Sequence, residues 1–315
     1  MPIPTGLAVR EGLTPAAMWD RYQALCKSRP ALRTTHYILG HKEAQLEWLH
    51  SVGVASDATL AAFAAPIPPD RLRTRVADPD LEPFLWTGFV DVVRILSLFH
   101  QHQSVGTAEP FDVLDFGCGC GRMLRFLHAV PGRWRAHGAD TNPDLVEWCR
   151  SHLTSTPVSL NPADGPLEAS DLSFDLVYCL SVFTHLAEDQ ARVWLAELAR
   201  VLRPGGIVVA TTHGQVALDT IRASTDHQAM FSMTREQAAR LTDDLPARGF
   251  VHLRYDQATL DVANAGRNYG NAFVDPGYVS RVWTVPSFEV CEVLPGGLRG
   301  WQDIVVLRKR LPTHS

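Results

Sequence analysis

Residues 111–122 read FDVLDFGCGCGR. Phe111, Val113, Leu114 and Phe116, interrupted by Asp112 and Asp115, make a short apolar run with the length and composition of a buried strand. Gly117, Gly119 and Gly121 then alternate with Cys118, Cys120 and Arg122, and Met123, Leu124, Phe126 and Leu127 recur at helical spacing up to Pro131. A strand, a glycine turn and a helix in this order form the first half of a unit that binds a nucleotide-like ligand. Glycine admits close approach of the main chain, and the first N–H groups of a helix favour an anionic group. The glycines run G-x-G-x-G, not the G-x-G-x-x-G of dinucleotide folds. A tight turn with no ligand is the competing reading, and the rest of the chain has to decide.

Downstream the pattern repeats. Arg133 to Ala139 (RWRAHGA) predicts a second strand ending in Asp140, and Asn142 to Leu153 predicts a helix with Pro143 in its first turn and Leu145, Val146, Trp148 and Cys149 facing inward. Asp140 follows Gly121 at about the 20-residue separation at which an acidic side chain reaches ribose hydroxyls in a doubly wound fold. A carboxylate there accepts two hydrogen bonds from a diol; the alternative is an Asp that caps the next helix, although Thr141 and Asn142 can do that equally well. Thr156 to Leu160 predicts a third strand, followed by a polar loop over Asn161 to Ser173.

Ser173 to Leu186 (SFDLVYCLSVFTHL) contains a fourth buried-strand run, Phe174 to Leu180. The helical stripe Trp194, Leu195, Leu198, Val201 and Leu202 follows within Glu188 to Leu202. Arg203-Pro204-Gly205-Gly206 stops that helix, and Ile207 to Thr212 (IVVATT) is a fifth strand.

These passages, taken together, resemble class I S-adenosylmethionine-dependent methyltransferases. The resemblance rests on Asp115 with the glycine turn, on Asp140, on the Phe174-Asp175 start and Thr184-His185-Leu186 end of the fourth strand, and on LARVLRPGGIVVATTHG over 198–214, all in family order. It implies that Asp115, Gly117, Cys118, Gly119 and Gly121 hold the amino-acid end of S-adenosylmethionine, and that Asp140, with Thr141 beside it, holds the ribose. Asn161 or Asp164 would meet the adenine, each with plain turn chemistry as its alternative, and Ser181 completes the cofactor set. The fold implied is α/β: a doubly wound, mostly parallel seven-stranded sheet closed by an antiparallel hairpin.

Around this core the chain is divided as residues 1–105, a helical extension or lid; 106–214, the cofactor-binding core; 215–275, an inserted cap over the acceptor pocket; and 276–315, the last helix and closing hairpin. In the extension, helical stripes run over Ala16 to Ser28, His41 to Val52 and Phe84 to His102, and the proline- and charge-rich stretch Ala64 to Pro83 is predicted extended. In the cap, a helix is predicted over Thr234 to Leu245, an apolar patch over Phe250 to Tyr255, and a polar stretch at AGRNYGNAF, 265–273. Pro276 to Trp283 reads as the last helix, and Ser287 to Leu294 with Gln302 to Leu307 as the final strand pair, joined through Pro295 to Gly300.

With 29 basic against 34 acidic side chains and a net charge of -5, the chain has no global attraction to nucleic acid or anionic membrane. The N-terminal MPIPTGLAVREGL has no apolar core of signal-peptide length, and a cytoplasmic location is expected. The six cysteines lack metal or disulfide spacing, so free thiols and no metal are expected. A homodimer is compatible with this reading.

Methyl transfer is an in-line displacement, so the protein must align the acceptor and exclude water. A hydroxyl acceptor must also lose a proton, which a histidine with a near-neutral pKa takes up. His185, past the fourth strand, and His213, past the fifth, are the candidate bases, with Tyr269, Tyr278 and His227 as candidate acceptor contacts. Asp115, Asp140, His185 and His213 are all expected at strand ends, converging on one cleft. The expected reaction is O-methylation of a small organic acceptor, a specialised metabolite or sugar-bearing intermediate, with S-adenosylhomocysteine as product. N- or C-methylation, a cofactor-binding module without turnover, and a nicotinamide-dependent oxidoreductase are the alternatives.

Overall fold

The computed structural model describes residues 10, 12–29, 41–77, 80–104, 108–163, 165–257, 260, 269–284 and 287–312. The chain forms two compact units, Met1–Asn161 and Pro162–Ser315.

In the first unit, α1 (Pro15–Ser28), α2 (Lys42–Val52), α3 (Asp57–Ala64), α4 (Asp70–Arg73) and α5 (Leu81–His102) precede β1 (Phe111–Phe116). Thr14 caps α1 through the Ala17 amide, and Gly53 closes α2 at φ 98°. The stretch 64–83, predicted extended, contains the α4 turn and the start of α5. Pro69 sits at the N-cap of α4 and Asp70 within its first turn, a local helix start that the proline content concealed.

Helix α5 is buried on all sides along Phe84–Val93, as an apolar run without a polar face requires. Trp48 of α2 packs edge-on against Trp86 at 5.4 Å, and Phe89 carries the aromatic contact on to Phe126 at 5.7 Å. Arg122 of the glycine turn donates to Asp91 at 2.9 Å and Thr87 at 3.1 Å. Helix α5 therefore belongs to the same packed body as the glycine turn.

Beyond β1 come a single helical turn α6 (Leu124–Leu127), β2 (Trp134–Asp140), α7 (Pro143–His152) and β3 (Val158–Leu160). β1 and β2 run parallel with Phe111 opposite Trp134 and Asp115 opposite Gly138, and β2 and β3 run parallel with Gly138 opposite Val158. Trp148 of α7 is half-buried and not in the core as predicted; it stacks on His152 at 4.5 Å and lies 5.4 Å from the Arg125 guanidinium.

The second unit contains β4 (Phe174–Cys179), α8 (Glu188–Val201), β5 (Leu202–Thr212), α9 (Gln215–Ala223), α10 (Thr225–Met230), α11 (Arg235–Arg248), β6 (Phe250–Arg254), β7 (Gly270–Val274), α12 (Pro276–Val282), β8 (Phe288–Leu298) and β9 (Gln302–Lys309). β4 and β5 are parallel, while β9 runs antiparallel to both β5 and β8. The strand order is β3-β2-β1-β4-β5-β9-β8, a seven-stranded, mostly parallel sheet closed by an antiparallel hairpin.

Two sequence expectations shift here. Arg203 to Gly206 belongs to β5 as an irregular start, with Leu202 opposite Phe174 and then Ile207 opposite Leu176. The turn expected over 295–300 is shorter, because β8 continues through a register shift to Leu298, which pairs with Gln302.

In the insertion, Thr234 and Gln237 form a capping box at the start of α11, and Gly249 ends it in the left-handed conformation. The polar stretch 265–273 contains a strand that its composition hid. Gly270–Val274 pairs antiparallel with β6 as a separate two-stranded sheet, with Phe250 opposite Val274 and Arg254 opposite Gly270. Phe273, Phe231, Leu241 and Leu245 pack with Leu218 and Ile221 of α9 into one apolar cluster. Among the described residues of 215–275, helices and ribbon thus share one apolar cluster.

Candidate functional site

The glycine turn is built by backbone geometry. Gly117, Gly119 and Gly121 have φ of 83°, 55° and 74°, values that residues with a Cβ seldom adopt. A Cβ on Gly119 would lie 2.6 Å from Val76, and one on Gly121 would lie 2.3 Å from Leu153.

Four of the turn's amides carry bonds within the fold. Gly117 and Cys118 donate to the Ala139 carbonyl at 2.8 and 3.1 Å, Gly121 donates to Cys118 at 3.0 Å, and Gly119 donates to Asp140 Oδ2 at 2.8 Å. The helix that follows is a single turn with no side-chain cap. The helix expected after the glycine turn is thus reduced to one turn, Leu124–Leu127. Arg125 explains the shape: it donates to the carbonyls of Gly121, Cys120, Ala64 and Pro66 at 2.9, 2.9, 2.6 and 2.8 Å.

Asp140 ends β2. Its Oδ1 accepts the Asn142 amide at 2.8 Å while Asn142 itself caps α7, so Asp140 is not the helix cap. Burial raises its carboxyl pKa and the amides of Asn142, Gly119 and Thr141 oppose that rise. An acceptor-only carboxylate keeps lone pairs on both oxygens after these bonds, which suits a vicinal diol. Asp115 is buried at the end of β1, Cys118 and Asn161 are buried, and Thr141 is exposed in the turn after β2. Asp164 lies outside the described residues. Among them, no group of three or more His, Cys, Asp and Glu is placed to hold a metal, and all six cysteines are free thiols.

In the second unit, Ser181 follows β4 at φ 57°, its amide donating to the Thr211 hydroxyl at 2.8 Å and its hydroxyl paired with the Gln302 side chain. His185 is held on several sides: Nδ1 lies 2.9 Å from the Gly270 carbonyl and 3.3 Å from the Tyr255 hydroxyl, and the ring stacks on Tyr269 at 4.9 Å. Burial lowers its pKa, the bond to Gly270 opposes this, and nearby His252 adds to the lowering. Burial thus favours its neutral form.

His213 is 4% exposed, boxed by Phe231 at 5.1 Å and Phe273 at 5.3 Å. Burial chiefly, with His185 adding, drives its pKa to about 3. Both histidines are tied to β7: Gly270 donates to the His185 carbonyl at 3.1 Å, Ala272 to Thr184 at 2.7 Å, and Val274 to His213 at 2.8 Å. Of the other acceptor-contact candidates, Tyr278 donates to Glu188 and His227 stacks on Trp301 at 5.5 Å. Tyr255, Asn271 and Arg125 were not singled out by sequence, because none carries a local motif.

Residues 113–206 match the family described as a methyltransferase domain. The chain carries a class I S-adenosylmethionine-dependent methyltransferase domain. Its match falls on the strands, glycine turn and Asp140 described above, and its cofactor is S-adenosylmethionine. Among curated relatives, the chain is 33% identical over 104 residues to malonyl-[acyl-carrier protein] O-methyltransferase of Hahella chejuensis, covering 33% of this chain and 37% of that protein. It is 31% identical over 117 residues to fatty-acid O-methyltransferase of Mycolicibacterium smegmatis, covering 37% and 42%. A second malonyl-[acyl-carrier protein] O-methyltransferase, from Methylococcus capsulatus, is 28% identical over 157 residues, covering 48% and 56%. The chain thus spans between 37% and 56% of the length of these relatives. No helix among the described residues is long and apolar enough to cross a membrane.

Proposed function

We propose that this chain is an O-methyltransferase of a small organic acceptor, with His185 as the base. The observation that carries the reading is the placement of His185: an imidazole just past β4, its Nδ1 tethered to the Gly270 carbonyl at 2.9 Å, where burial favours the neutral form. A tethered neutral imidazole can take a hydroxyl proton without first losing one of its own. His213, with its pKa near 3 and its ring boxed by phenylalanines, is too weak a base and reads as a packing residue. Two relatives named as O-methyltransferases of acyl substrates support oxygen as the acceptor atom.

S-adenosylmethionine, when bound, supplies an electrophilic methyl group. Asp140 would accept hydrogen bonds from the ribose, and Asp115 with Gly117, Cys118, Gly119 and Gly121 would hold the amino-acid end. Thr141, Asn161, Asp164 and Ser181 remain in the proposed cofactor set, with the adenine assigned to Asn161 or Asp164. The G-x-G-x-G spacing of Gly117, Gly119 and Gly121 favours this ligand over a pyrophosphate-bearing dinucleotide. The chain's remaining tasks are to orient the acceptor and keep water out, and to move one proton to His185.

Calorimetric titration with S-adenosylmethionine, S-adenosylhomocysteine and NAD comes first, followed by transfer of labelled methyl to hydroxyl, carboxyl, amine and carbon acceptors. Micromolar binding of the first two ligands and label on oxygen is expected. His185→Asn should lower kcat on a hydroxyl acceptor by about 10²- to 10⁴-fold with cofactor affinity intact. Tight cofactor binding with no labelled product from any acceptor would make the chain a binding module, and NAD binding alone would overturn the cofactor assignment.

A further inference from the structure

We propose that Asn271 and Tyr255 are positioning residues that hold His185 as the Nδ1–H tautomer, leaving Nε2 as the nitrogen that takes the proton. The inference rests on the reading of His185 as the base and adds which nitrogen acts and what selects it.

The direction of every bond in the chain is set from its far end. The Phe231 carbonyl can only accept, and it lies 3.0 Å from Asn271 Nδ2. The Asn271 amide therefore turns its Oδ1 toward Tyr255, whose hydroxyl donates to it at 2.8 Å. With that proton committed, the Tyr255 oxygen faces His185 Nδ1 with lone pairs at 3.3 Å. The Gly270 carbonyl, again acceptor only, faces the same nitrogen at 2.9 Å. Two acceptors aimed at Nδ1 require a proton there. A neutral imidazole has one N–H, so Nε2 keeps its lone pair.

The scaffold around this relay is stiff. Gly270 donates its amide back to the His185 carbonyl at 3.1 Å, pairing the two residues in both directions, and Tyr269 stacks within 18° of the imidazole plane. Asn271 is 4% exposed on β7, so its amide is largely shielded from solvent. The titratable groups that face His185 are Tyr255, Tyr269, His252 on β6 and His213 after β5. No carboxylate contacts the ring among the described residues. The relay therefore selects a tautomer without the gain in basicity that an aspartate would bring.

The test is ¹⁵N NMR of the histidine side chains of the full chain at pH 7.5, with the His185 signals assigned by their loss in His185→Asn. A protonated Nδ1 and bare Nε2 are expected; the Nε2–H tautomer would overturn the proposal. Tyr255→Phe and Asn271→Leu should each lower kcat by about 10- to 100-fold with the cofactor Kd unchanged. In Tyr255→Phe the acid limb of kcat should also move to lower pH, because the imidazolium loses an acceptor. Unchanged kcat in both folded variants would overturn the positioning role. The tautomer is read without turnover, so a His185→Asn protein that keeps full activity would sink the base reading alone and leave the tautomer result standing.

Discussion

Asp140 Oδ2 accepts the Gly119 amide at 2.8 Å, joining the acidic end of β2 to the middle of the glycine turn. The residue that sequence spacing assigned to a ribose therefore also shapes the turn. Asp140→Ala should weaken S-adenosylmethionine binding by at least about tenfold, since losing a charged hydrogen-bond acceptor costs about 1.5–3 kcal/mol. Asp140→Asn retains one acceptor oxygen and should fall between the two. Calorimetry decides, and unchanged affinity in Asp140→Ala would remove it from the site.

Gly119→Ala and Gly121→Ala should be worse than their size suggests. Each combines a positive φ with a Cβ closer than 3 Å to Val76 or Leu153. A loss of about 1–3 kcal/mol from backbone strain is expected, together with loss of cofactor binding. Denaturant unfolding and titration on the same samples would check both.

Arg125 satisfies four backbone carbonyls from two separate stretches, 64–66 and 120–121. Arg125→Met keeps the stem and removes every donor, leaving buried acceptors unpaired, so about 3 kcal/mol or more of stability should go. Urea unfolding measures it; a change under about 1 kcal/mol would show that water replaces the guanidinium.

Asp303 is 1% exposed and accepts the Gly296 amide at 2.8 Å. Burial pushes its carboxyl up to about 6 from an ordinary 3.8. The folded protein then binds a proton that the unfolded chain has released, so stability from this site is full below about pH 4 and is lost as pH rises through 6. Two pKa units correspond to about 3 kcal/mol. Asp303→Asn keeps an acceptor for Gly296 and removes the titration. Its Tm should exceed the wild type's at pH 7.5, with the gap closing toward pH 4.

Much of the sheet was legible because buried parallel strands are apolar runs separated by glycine turns and amphipathic helices, and each of those signals is local. β1, β2, β4 and the stripe of α8 fall where the periodicity put them. β7 did not show, because Gly270 and Asn271 are polar or small and the strand exists only through its pairing with β6 and with residues 184, 185 and 213. The reach of α5 was likewise hidden. An apolar helix announces burial but not its neighbour, and the Arg122–Asp91 pair joins residues 31 positions apart.

The sequence by itself determined the fold class, the order of the cofactor motifs and the identity of the strand-end acid, since these follow from residue type and spacing along one stretch of chain. Only the tertiary structure decided how the two candidate histidines are held. His185 and His213 each follow a core strand, but one is tethered to a carbonyl and a hydroxyl while the other is enclosed by Phe231 and Phe273. Proton affinity depends on burial and hydrogen-bond partners supplied by distant parts of the chain, and no local pattern encodes those.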